Sequence, residues 1–266
     1  MPWVFGKLLF AAPPSLPILN DLSFFTIVGT AVLASLELYG RPLGYSKFWN
    51  SGSQNRKTTM NLSSRTGMIL FYAPSFLASL ASFLILPRHD LRFLLLNLAL
   101  IFHFFKRIFE VLFIHKYSGG MAIDGTIFVS VSYSLSTAMM IYAQHLSQDL
   151  VEPSIDLRFF GVVLFVIGIV GNFYHHFLLS QLRDKGEKVY KIPKGGLFGL
   201  VICPHYLFEI IMFLGFSFIS QTSFTFSCAM GSLLYLMGRS YATRKWYLSK
   251  FEDFPRDLKV VIPFVF

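Results

Sequence analysis

Cysteine is scarce in this 266-residue chain: Cys203 and Cys228 are the two present, both inside apolar runs. That argues against a disulfide framework and a thiolate metal centre. Charge is thin as well, with 14% Asp, Glu, Lys and Arg against 54% hydrophobic residues, far from the balance of a water-soluble domain. Acid is the rarer sign, 14 residues against 23 basic, for a formal net charge of +9. Such an excess suits nucleic acid when it covers one soluble face, but these cations gather in particular loops, so no nucleic-acid partner is expected. Three signatures are missing: G-x-S-x-G for a serine hydrolase, G-x-G-x-x-G for a soluble dinucleotide fold, and H-E-x-x-H for zinc. His175 and His176 point to different faces of a helix, and His103, His115 and His205 have no histidine four residues away. No metal site is expected from that spacing. The opening residues lack a small-residue cleavage site behind a compact apolar core, so a cleaved signal peptide is not expected either.

What the chain does have is length in its apolar runs. Seven of them, near 20–39, 66–86, 91–114, 122–145, 157–180, 196–219 and 222–243, approach the ~20 residues that cross a hydrocarbon core. Runs such as "FFGVVLFVIGIVG" lack the alternation of a β-barrel. The expected fold is therefore all-α, an integral membrane seven-transmembrane-helix bundle. No repeat or linker divides it, so residues 1–266 are expected to form a single domain. Cations mark alternate connections: Arg41, Lys47, Arg56, Lys57 and Arg65; Lys106, Arg107 and Lys116; Arg183, Lys185, Lys188, Lys191 and Lys194; and Arg239 onward. The intervening "QDLVEPSID" is acidic. Positive residues on the cytosolic side place the amino terminus outside the cytosol and the carboxyl terminus inside it. The sequon at Asn61 then faces the cytosol and is expected to be unglycosylated.

Polar groups inside such runs are costly and mark a cavity, a partner or a ligand. They are Tyr72, His103, Glu110, Asn172, His175, His176, His205, Tyr206 and Glu209. Glu209 follows His205 by four residues, so both lie on one helical face, where they could bond each other or share a ligand. The glycines of "PKGGLF" serve equally as a turn or as an anion-facing backbone. Arg239 with Tyr241 and Tyr247, and Arg183 with Tyr190, could grip a phosphate and cover an aromatic ring, which fits a nucleotide. Basic loops also suit anionic lipid. The 31 phenylalanines fit a lipid-like or polycyclic ligand among the helices, although most serve packing and lipid contact.

The carboxyl-terminal half resembles the steroid 5-alpha-reductase family through "GNFYHHFLLSQLRDKGEKVYKIPKGGLF", "CPHYLFEI" and "WYLSKFEDFPRDLKVVIPFVF". A weaker likeness continues through "HFFKRIFEVLF" and "YAPSF". That family comprises NADPH-dependent membrane enzymes and includes enoyl-CoA and polyprenal reductases. The resemblance implies an endoplasmic reticulum membrane location, with the amino terminus lumenal. It implies NADPH held by residues of about 160–266, and a hydrophobic substrate arriving from membrane lipid. By position it marks Asn172, Arg183, Tyr190, Lys191, His205, Glu209, Arg239 and Tyr247 as cofactor-binding, joined by Arg107 and Lys116. Lys191 and His205 stand where the steroid enzymes often carry arginine and asparagine, and His176 replaces a common aspartate. Tyr72 and Phe104 occupy the places of a glutamate and a tyrosine that meet the substrate carbonyl. Tyr72 is therefore the expected catalytic acid, because a phenol donates a proton without burying a permanent charge. The implied reaction is reduction of a conjugated 3-oxo-Δ4-steroid, with enoyl-CoA or polyprenal reduction, or non-catalytic sterol or lipid binding, as alternatives.

Overall fold

The computed structural model describes residues 7–10, 17–41, 61–87, 90–117, 119–182 and 189–266. Arg183 and the loop cations Lys47, Arg56, Lys57, Lys185 and Lys188 lie outside the described residues. The elements run α1 (Pro17–Leu38), β1 (Asn61–Ser63), α2 (Ser64–Ile85), α3 (Leu91–Phe109), β2 (Gly120–Ala122), α4 (Ile123–Leu146), α5 (Arg158–Gln181), α6 (Pro204–Ser220) and α7 (Ser223–Lys250). A π-turn, Glu110–Ile114, prolongs α3, and a 3-10 turn, Gly196–Gly199, precedes α6. The all-α expectation holds apart from β1 and β2, which pair antiparallel with Leu62 opposite Met121. Local chemistry starts the helices where they start. Ser63 caps α2 by accepting the Thr66 N–H at 3.1 Å, and Asp90 caps α3 by accepting the Phe93 N–H at 2.7 Å.

The expected count of seven spans is wrong. Among the described residues, 4 helices are long and apolar enough to cross a membrane: Leu19–Leu38, Ser64–Ile85, Ile123–Leu146 and Arg158–Gln181. This makes the chain multi-pass, with three apolar runs that do not qualify. The run read from residue 196 is broken by the glycine turn and by Pro204 at the head of α6. What remains helical is 17 residues, about 26 Å at 1.5 Å per residue and short of a ~30 Å core. Charge disqualifies α3, where Arg92, Lys106 and Arg107 fall within one short helix. In α7 the serine, threonine and glycine of the first half, with Arg239, and the cations Arg244, Lys245 and Lys250 of the second leave no stretch apolar enough.

Packing of α5 on α6 depends on missing side chains. A Cβ at Gly161 would come within 2.5 Å of the Ile219 nitrogen, and one at Gly168 within 2.6 Å of the Met212 nitrogen. Small residues let backbones approach closely where apolar surroundings supply no hydrophobic drive between helices. On the other side of the bundle α1 lies along α7, joined by the fully buried pair Arg239 Nη1 and Glu37 Oε1 at 2.7 Å.

The end of the bundle where α3 begins is closed by Arg92, which is 0% exposed. Its guanidinium donates to the Ile219 carbonyl at 2.7 Å, Gln221 Oε1 at 3.0 Å, Glu152 Oε2 at 2.6 Å and Asp156 Oδ1 at 3.0 Å. Gln221 sits in the left-handed region at φ 53 between α6 and α7, and its amide donates to the Leu8 and Ile155 carbonyls. One arginine thus ties α3, the α4–α5 loop, the α6–α7 turn and the amino-terminal segment together. Arg92→Met is expected to destabilise the fold by about 3 kcal/mol, at the low end for breaking a buried pair because water can reach the half-exposed Glu152 and Asp156. Thermal unfolding in detergent measures it.

Asp156 adds a pH dependence. Burial raises its pKa, but hydrogen bonds from the Arg158 N–H and guanidinium, with the charges of Arg92 and Arg158, outweigh that and leave it below the usual carboxylate range. A depressed folded-state value means that this stabilisation is full above the unfolded pKa and disappears as pH falls through the folded one. Asp156→Asn is expected to flatten that acid limb.

Candidate active site

At the opposite end from Arg92, the last turn of α3 and the π-turn present charged groups inward. A π-turn inserts an extra residue into the helical turn, and here it places Glu110 at 0% exposure. Glu110 Oε1 lies 2.9 Å from Lys106 Nζ and 3.0 Å from His176 Nδ1, and Oε2 lies 3.1 Å from Arg107 Nη1. Arg107 Nη1 also lies 3.0 Å from His176 Nδ1. One ring nitrogen of a neutral histidine cannot serve both: protonated, it donates to Glu110, and unprotonated, it accepts from Arg107. Arg107 Nη2 donates to the Tyr72 hydroxyl, and its guanidinium carbon stands 4.7 Å from the Tyr72 ring centre. Lys106 donates to Asn172 Oδ1, and Asn172 Nδ2 donates to the His205 carbonyl at 2.7 Å. The chain from Tyr72 to His205 therefore links α2, α3, α5 and α6 through hydrogen bonds.

Glu110, His115 and His176 bring three ligand-type atoms within 4.8 Å of one another. Spacing along the chain did not suggest that group. Lys106 and Arg107 already neutralise the Glu110 carboxylate and would repel a cation, so the trio reads as part of an ion-pair network. His115 stays neutral within it. Burial lowers its pKa to about 4, Arg107 and Lys106 push the same way, and Glu110 opposes.

A cavity of about 170 Å³ opens beside this network, far more than the ~10–15 Å³ that one water occupies. Helices α1, α3, α4, α6 and α7 line it. Its wall is largely apolar, with Leu100, Phe104, Met140, Phe213 and Phe216, and Glu209 faces into it. Glu209 is 8% exposed, and its carboxylate has no hydrogen-bond partner among the described residues. Lys106 and Arg107 both feel its charge. A buried carboxylate aimed into an apolar space needs a donor, and a primary amide or a similar N–H group would supply one.

The remaining expected residues divide by location. Tyr190 and Tyr247 both contact Trp246, with ring centres 4.8 Å and 5.1 Å apart, and Tyr247 stacks on Phe254 at 4.9 Å. Lys191 and Lys116 are exposed. Arg239 is paired with Glu37. Gly196, at φ 51, lets its turn lie against α5, since a Cβ there would meet His175 Nε2 at 2.7 Å. That atom accepts the Leu197 N–H at 3.1 Å, so the glycine pair builds a turn against α5. Tyr133 escaped the sequence reading because it sits in the serine-rich run "SVSYSLS" of α4. It lines the cavity, and its ring centre is 6.0 Å from that of Tyr72.

The family model for 3-oxo-5-alpha-steroid 4-dehydrogenase matches residues 116–266. The chain belongs to the 3-oxo-5-alpha-steroid 4-dehydrogenase family. Human 3-oxo-5-alpha-steroid 4-dehydrogenase 2 is 31% identical over 245 residues, covering 88% of this chain and 92% of the human one. The rat protein of that name is 30% identical over 259 residues, covering 94% and 97%. A very-long-chain enoyl-CoA reductase of Dictyostelium discoideum is 34% identical over 166 residues, 61% of this chain and 55% of its own length. Membership in the 3-oxo-5-alpha-steroid 4-dehydrogenase family gives the chain an oxidoreductase role. The cavity beside Glu209 offers a largely apolar lining among the described residues.

Proposed function

We propose that this protein uses NADPH to reduce the conjugated C=C bond of a 3-oxo-Δ4-steroid. It does so in the endoplasmic reticulum membrane. The observation that carries the reading is the buried Glu209 carboxylate, which has no hydrogen-bond donor among the described residues, facing an apolar cavity with Lys106 and Arg107 within reach of its charge. This arrangement fits a nicotinamide, whose carboxamide N–H groups would satisfy Glu209 with His205 alongside. The aromatic group around Tyr190 and Tyr247 and the cations Lys191, Lys116 and Arg183 would hold the rest of the dinucleotide. Arg107 is already engaged with Glu110 and Tyr72, and Asn172 with Lys106 and His205, so these two position neighbouring groups. Arg239 would reach a phosphate only by leaving Glu37.

NADPH supplies the hydride when bound. The chain's own task is to polarise the enone and provide a proton. Tyr72 suits it because a phenol can donate toward a substrate carbonyl without burying a permanent charge, and the Arg107 guanidinium that donates to its oxygen favours negative charge there.

The Dictyostelium match favours trans-2-enoyl-CoA reduction as the second reading. Purified protein with NADPH is to be given progesterone, a trans-2-enoyl-CoA and a polyprenal in parallel. Progesterone-dependent NADPH oxidation is expected. Faster oxidation with the thioester or the polyprenal would move the assignment to that branch, and saturable steroid binding without any oxidation would leave a lipid-binding protein.

A further inference from the structure

Helices in apolar surroundings keep their serine and threonine hydroxyls satisfied by bonding them back to the carbonyl one turn earlier. Helix α4 follows this habit almost throughout. Thr126 donates to the Ala122 carbonyl at 2.8 Å, Ser132 to Phe128 at 2.8 Å, Ser134 to Ser130 at 2.8 Å and Ser147 to Ala143 at 2.8 Å. Ser130 reaches across to the Leu70 carbonyl at 2.6 Å. Ser136, partly buried, and Thr137 break the pattern, and of the two Thr137 is the one that is buried. It is 1% exposed, its hydroxyl has no partner among the described residues, and it lines the cavity.

Its depth gives the orphan a meaning. The cavity follows α4 from Phe128 to Met140, about 18 Å at 1.5 Å per residue. Thr137 lies one turn beyond Tyr133 on the same face and one turn short of Met140, towards the end remote from the Lys106–Arg107 network. Leu100, Phe216 and Cys228 line the same cavity from α3, α6 and α7, and the Thr137 hydroxyl finds no hydrogen-bond partner among the described residues. Thr26, another hydroxyl in the lining, is occupied with the Leu22 carbonyl at 2.7 Å. An unsatisfied buried hydroxyl is costly, and a ligand oxygen at that point removes the cost.

We propose that Thr137 is a specificity residue that hydrogen-bonds a second oxygen function of the substrate, at the end remote from the enone. The substrate class is thereby narrowed to a rigid, apolar enone with a hydroxyl or ketone at its far end. This rests on the steroid reading of the site, with the reacting carbonyl at the Tyr72 end and the distal oxygen near Met140. A threonine hydroxyl both donates and accepts, so either oxygen function satisfies it.

The probes are testosterone and androst-4-en-3-one, the same ring system without the ring-D hydroxyl, each with its saturated 3-ketone counterpart as a ligand that cannot be reduced. Wild-type protein is expected to favour the hydroxylated member of each pair by about 10-fold, in kcat/KM and in binding of the saturated ketones followed by thermal shift. Thr137→Val is expected to abolish the preference by weakening the hydroxylated probes and leaving the others unchanged, and Thr137→Ser to restore it. Equal affinity of wild-type protein for both members, or equal weakening of both by Thr137→Val, overturns the inference and leaves the steroid reading standing. Binding of neither saturated ketone by protein that still binds NADPH overturns both.

Discussion

Tyr72→Phe is expected to lower turnover with a conjugated steroid ketone by about 10²-fold or more, with little change in NADPH affinity. The phenylalanine keeps the ring that lies against the Arg107 guanidinium and removes only the hydroxyl. Two consequences then separate. Loss of a proton donor acts on the chemical step, because charge grows on the substrate oxygen as the double bond is reduced, and a donor there is stronger in the transition state than in the ground state. Loss of a merely structural hydrogen bond would free one Arg107 donor and shift stability by about 1 kcal/mol without selective loss of kcat. Single-turnover rates and thermal unfolding of the same sample distinguish the two. Tyr133→Phe is the necessary companion, since Tyr133 lines the cavity and its ring is 6.0 Å from that of Tyr72. Wild-type turnover in Tyr72→Phe, with the deficit in Tyr133→Phe, would transfer the role to α4.

Glu209→Ala should weaken NADPH by about 10²-fold, the upper range for a hydrogen bond to a charged group. Its carboxylate has no protein donor among the described residues, so removing it leaves no neighbour newly unpaired and the fold should tolerate the change. That makes the variant informative: a fall in affinity at constant melting temperature reports a lost ligand contact. Glu209→Gln retains one acceptor and is expected to fall between the two. Unchanged NADPH affinity in Glu209→Ala would contradict the proposed cofactor position. Applying the same titration to His205→Ala tests whether the neighbouring ring contributes, because Asn172 engages the His205 backbone carbonyl and is not disturbed by loss of the side chain.

Most of the helices are legible in the sequence. The runs behind α1, α2, α4 and α5 are long, apolar and nearly uncharged, and each became a helix able to span a membrane. Reading failed where an apolar average concealed a local instruction. "GGLFGLVICP" contributes hydrophobicity to a window, yet its glycines and proline make a turn and delay α6 to Pro204. Arg92 was likewise absorbed into the third run. In the fold it is wholly buried and bound to acids 60 and 64 positions away, a partnership that no window along the chain can register.

Which residue types occur, and with what period along the chain, follows from covalent order: the apolar runs, the shared face of His205 and Glu209, and the family motifs were all legible there. Partnership across the bundle was not, since side chains remote in sequence meet through packing of whole helices. Arg239 matches a cofactor position in the family pattern, and its ion pair with Glu37 becomes visible only where α1 packs against α7. Thr137 reads as one more hydroxyl in a serine-rich helix until the neighbouring helices surround it with apolar groups. Burial is what makes an unmet hydrogen bond costly, and burial is a property of the assembled bundle.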